Sequence, residues 1–132
     1  MTDATNPKQI WPCLNYRDAL AAITFLNEAF GFETTTCHAD GEVVQHAELR
    51  FPEGGGVMLG SHDPDGNEFK QLPVGGACLY VVTDEPDALF QRAVGAGAEV
   101  VRPLTDQDYG SREFACRDLE GNIWSFGTYR GE

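Results

Sequence analysis

The stretch "CRDLEGNIWSF" (116–126) reads as the end of one strand, a tight turn and the start of another. Asp118 and Gly121 stand first and fourth in the turn, the residues that a type I turn favours at its ends. After the turn, Ser125 lies between Trp124 and Phe126. The two-residue period of a strand puts both aromatics on one face and the hydroxyl on the other. A small polar residue so placed faces either solvent or a cavity.

Working outward, this hairpin closes a pattern that occurs twice. In the first half, "IWPCLNY" (10–16) is extended, and "RDALAAITFLNEAF" (17–30) carries Leu20, Ile23, Phe25, Leu26, Ala29 and Phe30 at helical spacing. Asp18 suits the helix start and Gly31 its end. "FETTTCHA" and "EVVQHAELRF" follow, rich in β-branched residues, and "GGGVMLGS" (54–61) supplies a short strand after a glycine turn. A polar, Gly/Pro-rich stretch, "SHDPDGNEFKQLPVGG" (61–76), separates this half from the next.

The order then recurs. "ACLYVV" (77–82) is a strand, and "EPDALFQRAVGAGA" (85–98) is a helix with Pro86 in its first turn and Gly97 near its end. "EVVRPL", "SREFACR" and "NIWSFGTY" are three more strands. Each half therefore reads strand, helix, three strands. The expected architecture is α+β: one domain over 1–132, a first βαβββ module at about 10–61, a linker at about 62–76 and a second module at about 77–129. Each sheet presents one face to its helix and leaves the other free. Two such sheets, curling, would enclose a cleft with their free faces.

Composition narrows the function classes. The chain has 132 residues, 21 acidic against 9 basic, for a net charge of −12. No basic stripe is present to displace counterions from a nucleic acid, so nucleic acid is not an expected partner. No apolar run approaches the ~20 residues needed to cross a bilayer, and the start lacks a signal-peptide pattern. The expected location is the cytoplasm, without a membrane partner. Four cysteines, Cys13, Cys37, Cys78 and Cys116, are scattered without a CxxC pair. They read as reduced, buried, inert thiols.

Several segments together resemble the vicinal oxygen chelate superfamily, the glyoxalase/bleomycin-resistance/extradiol-dioxygenase group. They are "NYRDALAAITFLNEAFGFE" (15–33), "HAELRF" (46–51), "GVMLGS" (56–61), "DALFQRAVGAGAEVVRPL" (87–104) and "YGSREFACRDLEGNIWSFGT" (109–128). The layout is similar to that of the small single-domain, PhnB-like members. The resemblance implies paired βαβββ modules, a homodimer, and concave sheets around a small-molecule ligand. The family's catalytic branch holds a divalent metal with His and Glu ligands. By the same resemblance, those ligand positions fall here on Trp11, Met58, Cys78 and Ser125. This set does not suit a hard catalytic ion, since Trp11 offers no donor and Met58 only a thioether. Neither a metal nor another cofactor is expected.

Strand alternation proposes what the free faces offer instead. Trp11, Cys13 and Asn15 share one face, as do His46, Glu48 and Arg50; Met58 with Gly60, Cys78 with Tyr80, and Ser125 match them elsewhere. His46 and Glu48 lie about 7 Å apart at their bases, close enough to act as an acid/base pair or as partial metal ligands. Tyr109 and Arg112 are read as a flap over the pocket mouth, with Arg112 pairing an anionic group. His38 is read as a loop residue and His62 as part of the linker. The expected function is binding or sequestration of a small cationic or aromatic compound. The alternatives are a metal-dependent lyase, isomerase or dioxygenase using His46 and Glu48, and a metal-free acid/base enzyme using the same pair.

Overall fold

The computed structural model describes residues 10–132. β1 (Cys13–Tyr16), α1 (Ala19–Phe30), β2 (Glu33–Asp40), β3 (Val43–Arg50) and β4 (Gly56–Ser61) form the first module. β5 (Cys78–Val82), α2 (Pro86–Gly95), β6 (Glu99–Asp106), β7 (Arg112–Arg117) and β8 (Ile123–Gly127) form the second. The sheets have the same order, β1-β4-β3-β2 and β5-β8-β7-β6. In each, the first strand runs parallel to the last and the other neighbours are antiparallel. The chain is thus α+β and built of two βαβββ modules.

Local chemistry explains the boundaries. Asp18 accepts the Ala21 N–H at 3.1 Å and starts α1. Gly31, with φ of 80°, ends it in the left-handed conformation, and the Phe32 N–H reaches back to the Leu26 carbonyl. Pro86 opens α2, where no backbone N–H is needed. One helical position departs from its spacing: Leu20 is 37% exposed, because it lies on the solvent side of α1. His38 is a residue of β2, paired with His46, because the strand runs on to Asp40 before turning at Gly41.

One hydrophobic core serves both modules. Phe30, at the end of α1, lies 5.7 Å from the ring of Trp124 and 4.8 Å from that of Phe126. The aromatics of the hairpin therefore face the helices, as alternation requires, and Ser125 faces away.

Reciprocal clamps join the modules. Glu120, in the β7–β8 turn, accepts the Arg17 and Asp18 N–H groups at 2.6 and 2.8 Å, at the start of α1. Glu53, in the β3–β4 turn, accepts the Asp84 N–H and the Thr83 hydroxyl, both at 2.7 Å, ahead of α2. Each module's last turn holds the other's helix entrance.

Buried Asp118 organises the hairpin. Its Oδ1 accepts the Glu120 and Asn122 N–H groups at 2.9 and 3.1 Å. Its Oδ2 accepts the Tyr16 hydroxyl at 2.6 Å, the Trp124 Nε1–H at 2.9 Å and the Asn122 side-chain amide at 3.0 Å. Burial, reinforced by this carboxylate, pushes the Tyr16 phenol well above its ordinary pKa.

Candidate functional site

The helices cover one face of each sheet, and the cavities of the two uncovered faces are lined by separate residues. The single cleft expected from curling is therefore not formed within one chain. The modules meet through their helix sides, which leaves the two free faces uncovered and apart.

On the first sheet, Cys13 of β1, Met58 of β4 and Glu48 of β3 stand in neighbouring register. His46 Nε2 lies 2.8 Å from Glu48 Oε2, so alternation has brought this pair into contact. Trp11 packs over Gly56, where a Cβ would lie 2.8 Å from its ring, and the Arg50 guanidinium stands 4.8 Å from the ring centroid. A stacking partner for Trp11 is thus already supplied by its own chain. The linker crosses this face: Asn15 donates to the Phe69 carbonyl at 2.7 Å and Lys70 Nζ to the Gln45 carbonyl at 2.8 Å. Between the linker and the sheet lies a cavity of about 200 Å³ lined by Cys13, His46, Met58, Phe69, Lys70 and Leu72.

On the second sheet, Tyr80 pairs with Ser125, and Ser125 with Ala115, while Cys78 is exposed beside Ile123. Tyr80 joins Tyr109, Glu113, Tyr129 and Glu132 around a cavity of about 480 Å³. Tyr109 donates to Glu113 Oε1 at 2.7 Å. That hydrogen bond pushes the Tyr109 phenol up to about 12.

Arg112 does not join this face. Its guanidinium bonds Asp87 at 2.7 and 3.2 Å and Asp106 at 3.2 Å, tying β7 to the first turn of α2. The pairing holds the Asp87 carboxyl below its usual pKa. β7 alternation explains the placement: Phe114 and Cys116 point to the core with Arg112, leaving Glu113 on the free side. Glu113 and Tyr129 were missed as site residues, although the inward pair in "REFACR" marks Glu113 as outward.

A third groove, of about 500 Å³, runs between the modules past Pro12, Glu53, Val57, Tyr80, Asp84 and Arg130. Its acids are engaged, Asp84 with Arg130 and Glu53 with the α2 entrance.

The cysteines depart from expectation. Cys116 is buried and burial pushes its thiol up to about 11, but Cys13, Cys37 and Cys78 are exposed. Cys13 and Cys78 are exposed because they stand on uncovered sheet faces.

The donor set does not fit the family's divalent ion. Trp11, Met58, Cys78 and Ser125 supply at most one strong ligand, and among the described residues no three His, Cys, Asp or Glu side chains converge on a point. What the faces do offer is aromatic and sulfur surface with a few polar groups. The described residues also contain no helix long and apolar enough to cross a membrane.

Comparison with known proteins agrees with the fold. An uncharacterized protein of Mycobacterium bovis is 36% identical over 123 residues, spanning 88% of this chain and 80% of its own length. One from Mycobacterium tuberculosis has the same identity and 71% of its length matched. Among solved structures, TioX from Micromonospora sp. ML1 superposes with a TM-score of 0.77 at 30% identity, covering 93% of this chain and 99% of that one. A glyoxalase/bleomycin resistance protein/dioxygenase superfamily member from Sphaerobacter thermophilus superposes with a TM-score of 0.68, covering 91% and 97%, and its 18% identity speaks for the fold alone. The family model described as Glyoxalase/Bleomycin resistance protein/Dioxygenase superfamily matches residues 8–126. With that match over nearly its whole length, the chain belongs to this superfamily.

Proposed function

We propose that this protein binds or sequesters a small aromatic or cationic compound, as a homodimer and without a catalytic metal. The observation that carries the reading is the pair of uncovered sheet faces, each a half-site. A two-fold pairing of chains brings the first sheet of one copy over the second sheet of the other, twice, and each groove then has two walls. The walls are Trp11, Cys13 and Met58 on one side and Cys78, Tyr80 and Ser125 on the other. Acidic surface charge favours cationic over anionic ligands reaching them.

The test is ligand-detected NMR with neutral planar aromatics such as quinoline, on wild type and on Ser125→Trp, which fills the face without entering the core. Saturation transfer in wild type, lost in the variant with the dimer intact by light scattering, supports the proposal. A monomer that binds none of the aromatics overturns it.

The contact between His46 and Glu48 favours one further reading, a metal-free acid/base enzyme. Turnover by chelated protein that disappears in Glu48→Gln, with the fold unchanged, would establish it in place of simple binding.

A further inference from the structure

We infer that the outer end of the second sheet is a receptor for an organic ammonium group, formed by Glu113 and the rings of Tyr80, Tyr109 and Tyr129. The inference rests on the small-molecule reading above and assigns a charge and a position to one end of the ligand.

The floor of the site is Gly127, opposite Glu113 in the β7–β8 ladder. A Cβ there would stand 2.5 Å from Glu113 Cγ, 2.8 Å from the Tyr80 hydroxyl and 3.1 Å from Glu113 Oε2. The missing side chain is what lets the carboxylate and the phenol lean over the same spot. The walls are Tyr109 and Tyr129, whose ring centroids are 5.7 Å apart at an interplanar angle of 79°. Two rings at that angle present adjacent walls, not one stacked surface. The Tyr80 hydroxyl donates to the Tyr129 carbonyl at 2.8 Å, and Tyr109 donates to Glu113 at 2.7 Å. The cage is thus fixed in shape by its own hydrogen bonds before any ligand arrives.

Two features point to a cation. First, among the described residues Glu113 has no Lys, Arg or His partner, whereas Asp84, Asp87, Glu99 and Asp106 each pair with an arginine. Second, the tyrosines stay open: Tyr109 is 56% exposed, Tyr80 42% and Tyr129 36%. Clustered exposed aromatics around an unmatched carboxylate suit an alkylammonium ion, which combines apolar methyl surface with charge and is attracted to ring faces within about 6 Å. A hydrated inorganic cation gains little from tyrosine faces, and an anion is repelled by Glu113. The cavity, of about 480 Å³, has room for a substituted ammonium and the start of a longer chain.

The test titrates full-length protein with tetramethylammonium and with tert-butanol, its neutral counterpart of similar shape, by saturation-transfer NMR. Expected is tetramethylammonium binding that exceeds tert-butanol binding, weakens in high salt, and falls about tenfold in Glu113→Gln and in Tyr109→Ala. Tyr109→Phe, which keeps the ring, should retain binding within about twofold. Equal binding of the two probes, or tetramethylammonium affinity unchanged in Glu113→Gln, overturns the inference. So does loss of the dimer in Glu113→Gln without cation binding in wild type, which would assign the carboxylate to a basic side chain of the second copy. Quinoline binding that persists when tetramethylammonium fails would sink this site alone; failure of both removes the binding reading as well.

Discussion

Asp118 shows how much one side chain settles at the scale of a residue. Five donors converge on a carboxylate that is 7% exposed. Asparagine is nearly the same shape but turns one oxygen into a donor facing donors, so Asp118→Asn should cost about 3 kcal/mol in urea unfolding. A loss below about 0.5 kcal/mol would mean that the network does not hold the hairpin. Tyr109 offers a second measurement. Its phenol ionises near 10 in the unfolded chain and near 12 in the folded one, chiefly through the Glu113 hydrogen bond. The associated stability is therefore fully present below pH 10 and lost as pH rises through 12. Tyr16 and Tyr80 are also raised, so the ultraviolet titration is read as a difference: Glu113→Gln should move one of the late phenols down, and no movement would break the assigned hydrogen bond. The thiols give a third. Cys13, Cys37 and Cys78 should react with a thiol reagent small enough to enter an open groove, and Cys116 only on unfolding. A fast fourth thiol would contradict the packing of β7.

Elements behave as the period of their residues dictates, up to the point where distant parts of the chain meet. The inward set Ala47, Leu49 and Phe51, the outward set His46, Glu48 and Arg50, and the cap residues Asp18 and Gly31 were all legible, because each depends on neighbours within a few positions. The partners of Arg112 were not, since Asp87 lies 25 residues away and the pair forms only once α2 docks on β7. Cysteine exposure was illegible for a similar reason: average burial misleads on a sheet face that no helix covers. The clamps are the element-scale prediction. Glu53→Ala and Glu120→Ala should each destabilise by about 1 kcal/mol, and because they share no partner the double variant should be close to additive. Strong non-additivity in chemical denaturation would mean that the modules are joined by one coupled network and not by two separate clamps.

At the scale of the whole molecule, the repeat decides what can be built. Duplicated βαβββ modules sharing one core leave two open faces pointing away from it, which is why residues expected in one pocket, such as Met58 and Ser125, lie on different sheets. The modules were readable from the order of elements. Their mutual orientation was not, because Phe30 reaching Trp124 and Phe126 is a long-range contact without a periodic signature. The same faces carry the metal-free reading: by the resemblance, the positions where superfamily members with metal chemistry place strong donors fall on Trp11, Met58, Cys78 and Ser125. Metal content measures that directly. Purified protein, mildly chelated and then given Ni²⁺, Zn²⁺, Fe²⁺ or Mn²⁺, should retain no stoichiometric ion after desalting. One tightly held equivalent per chain, lost in His46→Ala, would contradict the metal-free reading and return the protein to the catalytic branch of its superfamily.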